Sequence, residues 1–170
     1  MDGFTVAILT ASDKGARGER EDESGRVIRE LVTAAGGRVI AYDVVPDDYE
    51  TLVQKLREYT DMTGANLILT TGGTGLGPRD NTPEATLAVC ERLVPGIAEA
   101  MRASGLQKTP HAMLSRAISG IRRQSLIINL PGSPKAVREN LSVVLPALPH
   151  ALEVLCGQAA DCAGPPGENA

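Results

Sequence analysis

The stretch NLILTTGGTGLGPRDNTPE, residues 66–84, carries the pattern on which the predicted fold depends. Its first five residues, 66–70, form a short apolar run typical of a buried strand, and four glycines then follow within six positions. Thr82, Pro83 and Glu84 supply an N-cap, a proline in the first helical turn and an acidic first turn. The stretch therefore predicts a strand, a glycine loop and a helix in succession.

The same unit recurs on both sides of this stretch. Three further apolar runs are predicted strands: 4–10, 38–45 and 125–130. Three further helices are predicted to begin near residues 22–24, 47–48 and 134. We expect helical structure from residue 82 to about residue 107. The alternation predicts an α/β domain with a mostly parallel sheet over residues 1–157, followed by a flexible tail over residues 158–170.

The composition excludes several classes of function. Only 2% of the 170 residues are aromatic, and 17 basic against 21 acidic side chains give a net charge of −4. We therefore expect no nucleic-acid partner, since such proteins use basic surfaces and aromatic stacking platforms. The sequence shows no basic leader and no run of about 18 apolar residues, so we predict a cytoplasmic protein without a membrane partner. Cys90, Cys156 and Cys162 lack C-x-x-C spacing and are predicted to be inert.

The glycine loop after the third strand predicts an anion site. Gly72, Gly73 and Gly75 allow the backbone to turn its amides toward an anion, and the N-terminus of the next helix adds a positive dipole end. The loop is not a Walker A motif, because Pro78-Arg79 stands where Lys-Ser/Thr is required. A glycine-rich turn without chemical importance is the alternative interpretation.

Four carboxylates follow the predicted strands or lie in the glycine loop: Asp13, Asp47, Asp48 and Asp80. In a parallel sheet these loops meet at one edge, where ligands of α/β proteins bind. Carboxylates suit Mg²⁺, which takes one or two of them together with phosphates and waters. Helix capping is the alternative for each, and we favour it for Asp48. Capping is a weaker alternative for Asp80, because Thr82 is the predicted N-cap of the helix that follows.

Other catalytic arrangements are not indicated. Ser133 lies in Pro-Gly-Ser-Pro rather than in the G-x-S-x-G motif of hydrolases. His111 and His150 have no metal-ligand spacing and are interpreted as incidental. Ser115 and Arg116 begin a small basic cluster before the last strand, which is either solvated charge or a phosphate contact.

The glycine loop and the segment after it closely resemble the molybdenum-cofactor biosynthesis family of MogA, MoaB and the gephyrin-type G domains. The resembling segments are, in chain order, Thr10-Ala11-Ser12-Asp13, Asp22-Glu23-Ser24-Gly25, Val45-Pro46-Asp47, Thr71-Gly72-Gly73-Thr74-Gly75, Pro78-Arg79-Asp80-Asn81-Thr82-Pro83-Glu84-Ala85-Thr86, Met113-Leu114-Ser115-Arg116 and Asn129-Leu130-Pro131-Gly132-Ser133-Pro134. With the sequence between and around them, the resemblance spans roughly residues 4 to 155.

The resemblance implies a three-layer α/β/α sandwich, usually trimeric, that acts as a molybdopterin adenylyltransferase. Such an enzyme uses Mg²⁺ and ATP to attach AMP to the terminal phosphate of molybdopterin. The resemblance also implies the following residue roles: Asp47 and Asp80 catalytic and candidate Mg²⁺ ligands, Gly72, Gly73, Thr74, Gly75 and Ser12 nucleotide-binding, and Ser115 molybdopterin-binding. From position alone we add Asp13 on the nucleotide side and Arg116, Pro131, Gly132 and Ser133 on the molybdopterin side.

The residue chemistry is consistent with phosphoryl transfer. A phosphate monoester is mostly dianionic at pH 7, since its second pKa is about 6, so it attacks phosphorus without a histidine to deprotonate it. The missing Ser-His-Asp and Cys-His arrangements are therefore expected. A catalytically silent, MoaB-like trimeric binding or scaffolding module is the alternative function, and the molybdate-insertion enzyme is a further candidate partner.

Overall fold

The computed structural model describes residues 1 and 3–157, and the predicted tail at 158–170 lies outside them. Six strands form one sheet in the order β2-β1-β3-β6-β5-β4. Their bounds are β1 Thr5–Ala11, β2 Arg38–Val45, β3 Leu67–Thr71, β4 Arg92–Leu93, β5 Ser119–Arg122 and β6 Ser125–Leu130. Strands β2, β1, β3 and β6 pair in parallel. Strand β5 pairs antiparallel with β6, and β4 pairs antiparallel with β5. The sheet is mostly parallel, as predicted.

Seven α-helices cover the sheet in the described part of the chain: α1 Asp13–Ala16, α2 Glu23–Ala34, α3 Tyr49–Arg57, α4 Thr82–Val89, α5 Pro95–Leu106, α6 Pro134–Val144 and α7 Leu148–Leu155. A π-helical turn, Glu58–Met62, extends α3, and 3₁₀ turns lie at Pro110–Leu114 and Leu145–Ala147. Among the residues that the structure describes, no helix is both long and apolar enough to cross a membrane.

The two faces of the sheet bury separate apolar clusters. Along β1, Ile8 packs in the cluster that α2, α5, α6 and α7 cover, whereas its neighbour Leu9 packs in the cluster that α3 and α4 cover. Successive side chains of a strand point to opposite faces, so a strand buried on both sides is apolar throughout. The result is the expected three-layer α/β/α sandwich.

The region after α4 differs from the prediction of continuous helix to residue 107. Helix α4 ends at Val89, Cys90 has extended backbone, and β4 pairs with β5 before α5 begins. The sequence does not predict β4 and β5, because two and four residues are too short to show a period. Burial raises the pKa of the Cys90 thiol to about 11, which is consistent with an inert cysteine.

The helix caps confirm one prediction and correct another. Asp48 caps α3 by accepting from the backbone N of Thr51, and its neighbour Asp47 is thereby left for the site. Thr82 is not the N-cap of α4: it is the first residue of the helix, and its hydroxyl donates to the carbonyl of Gly72 at 2.9 Å. The hydroxyl of Thr82 therefore donates to a carbonyl of the glycine loop, and among the described residues no N-capping hydrogen bond to a helix amide is made at the start of α4.

Candidate functional site

The loops after β1, β2, β3 and β6 meet at one edge of the sheet and surround a cavity of about 540 Å³, called here the first cavity. The lining side chains and backbone segments are Thr10–Ser12, Gly15, Arg20–Ser24, Asp47, Thr71–Gly73, Asp80 and Gly132–Pro134. Four parallel strands place their carboxyl ends together, which is why loops far apart in sequence share this cavity.

The glycine loop requires glycine at its first two positions. Gly72 and Gly73 have φ values of +89° and +63°, which other residues rarely adopt. A Cβ on Gly72 would lie 2.3 Å from the carbonyl oxygen of Ala11, and one on Gly73 would lie 2.4 Å from Oγ1 of Thr82. Both glycines therefore permit the loop to pass against β1 and α4.

Hydroxyl groups hold the loop against its neighbours. Thr71 Oγ1 donates to the carbonyl of Pro131 at 2.6 Å, which joins the ends of β3 and β6. Beneath the loop, the buried Asn129 amide donates to Thr70 Oγ1 at 2.9 Å and to Thr86 Oγ1 at 2.8 Å. Buried polar groups paired in this way order the structure around them. The start of the loop, at Thr71, is thus held by hydrogen bonds within the protein itself.

Three charged residues are connected in a chain that begins at Asp47 in the wall of the first cavity and continues to Asp13 and Arg79, which do not line it. The backbone N of Asp13 donates to Asp47 Oδ2 at 3.0 Å, and both Asp13 carboxylate oxygens accept from Arg79 at 2.8 Å. Hydrogen bonding to Arg79 lowers the pKa of Asp13. Burial raises the pKa of Asp47, and the negative charges of Asp13 and Asp80 raise it further.

Asp80 belongs to the glycine loop rather than to the helix that follows. Its Oδ2 accepts from the backbone N of Gly77 at 2.9 Å, and the residue lines the first cavity together with Asp47. The structure therefore brings together the two aspartates predicted to be catalytic.

A second cavity of about 310 Å³ lies beside the first. Thr74, Gly75, Ser115 and Pro131 line it, with apolar side chains that include Met101 and Leu114. The glycine loop is consequently shared: Gly72 and Gly73 line the first cavity, and Thr74 and Gly75 line the second. The loop after β6 divides in the same manner, since Pro131 lines the second cavity whereas Gly132 and Ser133 line the first.

This division departs from the residue grouping predicted from sequence. The prediction groups Thr74 and Gly75 with Gly72 and Gly73, yet these two pairs line different cavities. It groups Gly132 and Ser133 with Ser115 and Pro131, which likewise line the other cavity. The amides and side chains at a turn point to different sides of the loop, and sequence order does not reveal which. His111, interpreted from sequence as incidental, also lines the second cavity.

Several predicted residues have structural partners of their own. Ser12 caps α1 by accepting from the backbone N of Gly15, and Ser133 caps α6 by accepting from that of Ala136. Arg116 lines neither cavity; its guanidinium donates to the carbonyls of Gly75 and Asp80. Arg116 is thus bound to the glycine loop rather than left as a free cation for phosphate.

Other residues of the first cavity were not identified from sequence. Asp22 accepts from Thr10 Oγ1 and from the Tyr42 hydroxyl, both at 2.5 Å, and caps α2 by accepting from Gly25 N. Ser24 Oγ donates to the carbonyl of Gly132 at 2.7 Å. In the sequence, Asp22 and Ser24 are noted only within the Asp22–Gly25 segment. Their hydrogen bonds to Thr10, Tyr42 and Gly132 form only when the chain folds.

The donor set of the first cavity fits Mg²⁺. Across residues 1 and 3–157, no three His, Cys, Asp or Glu side chains are grouped to hold a metal by themselves. Asp47 and Asp80 supply two carboxylates. Burial, together with the negative charges of Asp13 and Asp80, raises the pKa of Asp47, and a bound cation would offset this penalty on its ionised form. Mg²⁺ commonly takes one or two carboxylates and completes its shell with phosphate and water.

Comparisons with known proteins agree with this geometry. A family model described as a probable molybdopterin binding domain matches residues 7–150. Over 159 residues the chain is 41% identical to the molybdopterin adenylyltransferase of Helicobacter pylori strain J99, an alignment that covers 92% of this chain and 90% of that protein. It is 47% identical to gephyrin of Dictyostelium discoideum over 162 residues, which cover 89% of this chain and 22% of gephyrin.

A solved structure shares the whole architecture. The molybdopterin biosynthesis enzyme MoaB of Thermus thermophilus superimposes with a TM-score of 0.86 at 55% sequence identity. The superposition covers 91% of this chain and 97% of that one. The six-stranded sheet and the helices on its two faces are therefore those of an established fold.

Proposed function

The chain belongs to the family of probable molybdopterin-binding domains of molybdenum-cofactor biosynthesis, and from that premise we propose that it is a molybdopterin adenylyltransferase. The reaction transfers AMP from ATP to the terminal phosphate of molybdopterin. The observation that carries the proposal is the shared glycine loop, which lines both cavities at the point where they adjoin. A transfer between two bound phosphates needs such a common wall.

The polar first cavity takes ATP, and the second takes molybdopterin. Gly72, Gly73 and Ser12 line the first cavity beside Asp47 and Asp80, where a triphosphate requires charge neutralisation. Ser115 lines the second cavity among apolar side chains, which suit the flat ring system of a pterin. Thr74 and Gly75 then lie toward molybdopterin and its phosphate, at the boundary between the two cavities.

The chain's main contribution to the chemistry is positioning. An oxygen of the molybdopterin phosphate forms a bond to the α-phosphorus of ATP while the bond from that phosphorus to the pyrophosphate oxygen breaks. The attacking phosphate is already ionised near pH 7, so the side chains need not remove a proton. The loop amides hold the two phosphates in line, and the carboxylates of Asp47 and Asp80 would act on the phosphates only through a bound cation.

Asp47 and Asp80 would hold Mg²⁺ in this scheme. When bound, the ion neutralises the phosphates and the charge that develops on pyrophosphate. The two aspartates would form the part of the cavity wall that faces the ion. Asp13 exchanges hydrogen bonds with Asp47 and pairs with Arg79, and these contacts keep the loop of Asp47 in place.

We extend the proposal to assembly, partners and location. A homotrimer follows from the family resemblance, and the molybdate-insertion enzyme is the candidate acceptor of the product. The similarity to part of gephyrin supports a function next to that enzyme, since gephyrin contains further sequence beyond the matched segment. Location in the cytoplasm stays a prediction. A trimer would scatter light as three chains of 17.8 kDa each.

One assay tests the proposed reaction. Purified protein is incubated with molybdopterin, ATP and Mg²⁺, and adenylylated molybdopterin and pyrophosphate are measured. We expect both products in equal amounts, and their loss in excess EDTA with recovery on added Mg²⁺. Tight molybdopterin binding without either product would instead identify the catalytically silent binding module.

A further inference from the structure

Arg116 joins the wall of the second cavity to the glycine loop. It directly follows Ser115, which lines that cavity at the end of the 3₁₀ turn Pro110–Leu114. The backbone N of Arg116 donates to the carbonyl of Thr74 at 3.0 Å, so the segment is bound to the loop even before its side chain is considered.

The guanidinium of Arg116 spans the two ends of the loop. Nε donates to the carbonyl of Gly75 at 2.7 Å, and Nη2 donates to the carbonyl of Asp80 at 2.5 Å. Nη1 pairs with the carboxylate of Glu84 in the first turn of α4. A planar guanidinium with fixed donors is suited to bridging three acceptors, which a lysine ammonium on a flexible stem is not.

The segment itself is anchored from the opposite side. Arg102 of α5 donates to the carbonyl of Ala117 at 2.8 Å and to that of Ser115 at 3.3 Å. Residues 115–117 are consequently held between α5 and the glycine loop. The contacts therefore form a continuous path from Ser115 through Arg116 to the backbone of Asp80.

We propose that Arg116 is a positioning residue that couples the two cavities, so that a ligand held at Ser115 fixes the loop segment bearing Asp80 for the ligand in the first cavity. This inference rests on the proposed function for the identity of the two ligands. It assigns Arg116 no contact with either ligand. Because each ligand orders a loop that the other also needs, binding of one strengthens binding of the other.

Arg116→Lys is the test variant, since it keeps the charge and removes the three-way bridge. Binding of Mg²⁺ with α,β-methylene-ATP, which cannot release pyrophosphate, is measured by calorimetry with and without molybdopterin. For the wild type we expect molybdopterin to tighten nucleotide binding by about 5-fold or more. In Arg116→Lys we expect nucleotide affinity without molybdopterin to change by less than about 2-fold, whereas the tightening falls to about 1-fold.

Activity separates this role from a purely structural one. The single-turnover rate of Arg116→Lys at saturating ATP should fall about 10-fold because the loop is misplaced, and the KM for ATP at saturating molybdopterin should rise about 5-fold because the coupling is lost. Arg138→Lys is the matched control: Arg138 pairs with Glu30 and neither residue lines either cavity, so its substitution should leave coupling and rate unchanged.

Three results would overturn the inference: no coupling in the wild type, undiminished coupling in Arg116→Lys, or equal loss in Arg138→Lys. If Arg116→Lys does not fold, Glu84→Gln weakens only the third contact, and it should reduce coupling by a smaller factor; full coupling there would count against the proposal. A wild type that couples its ligands but forms no adenylylated product would contradict the proposed reaction and leave this inference standing.

Discussion

Asp13 and Asp47 exchange hydrogen bonds, the backbone N of each donating to the carboxylate of the other at 3.0 and 3.1 Å. The exchange joins the loops after β1 and β2 and brings two negative charges together at the rim of the first cavity. Arg79 pairs with Asp13, whereas Asp47 has no such ion pair among the described residues. The resulting asymmetry leaves Asp47 as the carboxylate in need of a cation.

Asp47→Asn should stabilise the free protein and weaken its activity. Burial raises the pKa of Asp47, so the folded state disfavours the ionised carboxylate. The contribution of Asp47 to the free energy of unfolding is therefore greatest below its pKa in the unfolded chain. This contribution declines as the pH rises through its pKa in the folded protein. At pH 7 we expect Tm to rise by about 2 °C, with the difference disappearing near pH 3. The rate of adenylylation should fall at least about 10-fold.

Asp48→Asn is the control for that measurement. Asp48 caps α3 through Thr51, and those hydrogen bonds lower the pKa of its carboxyl. Its folded-state pKa lies below the unfolded one, so the pH dependence has the opposite sign, and stability is lost as pH falls. Turnover should be normal. A lower Tm for Asp47→Asn than for the wild type at pH 7 would contradict the first prediction.

Asp80→Asn tests the second carboxylate of the first cavity. We expect adenylylation to fall by about 10²-fold, a loss of roughly 2.7 kcal/mol in transition-state stabilisation. Tm should change little, because the asparagine carbonyl still accepts from Gly77 N. Single-turnover kinetics and thermal unfolding on one preparation check both statements. A stable variant with an undiminished rate would remove Asp80 from the mechanism.

Ser115→Ala should weaken molybdopterin binding about 10-fold and change ATP binding by less than about 2-fold in the absence of molybdopterin. Ser115 lines the second cavity, whereas the triphosphate side of the glycine loop lines the first. Direct titration with each ligand measures the two affinities. If ATP binding suffers more than molybdopterin binding, the assignment of the two cavities is reversed.

Gly72→Ala should destabilise the fold by about 3 kcal/mol or more, because a positive φ and a backbone oxygen 2.3 Å from the new Cβ act together. Gly18→Ala is the matched control, with a φ of +72° and open space around its Cβ, and we expect a loss of about 1 kcal/mol. Urea unfolding of both variants gives the comparison. Equal losses would show that strain alone, and no close approach to Ala11, constrains Gly72.

The sequence was sufficient for features that depend on local pattern. The apolar runs of β1, β3 and β6 predict strands buried on both faces, since hydrophobic periodicity is local information. The interpretation of Asp48 as a cap is confirmed because its donor, Thr51 N, lies three residues away. The predicted parallel sheet places the loops bearing Asp13, Asp47, Asp48 and Asp80 at one edge, and only the family resemblance selects Asp47 and Asp80 among them.

Only the tertiary structure decided which partner each polar group takes. Thr82 is expected from sequence to cap α4, but the folded loop brings the carbonyl of Gly72 to its hydroxyl. Thr74 is grouped with Gly72 and Gly73 from sequence, but the turn at these two glycines directs it to the second cavity, away from them. A hydrogen bond is decided by small differences in distance between groups far apart in sequence. Such distances exist only once the chain has packed, whereas the propensity of a strand or a cap is present in the residues themselves.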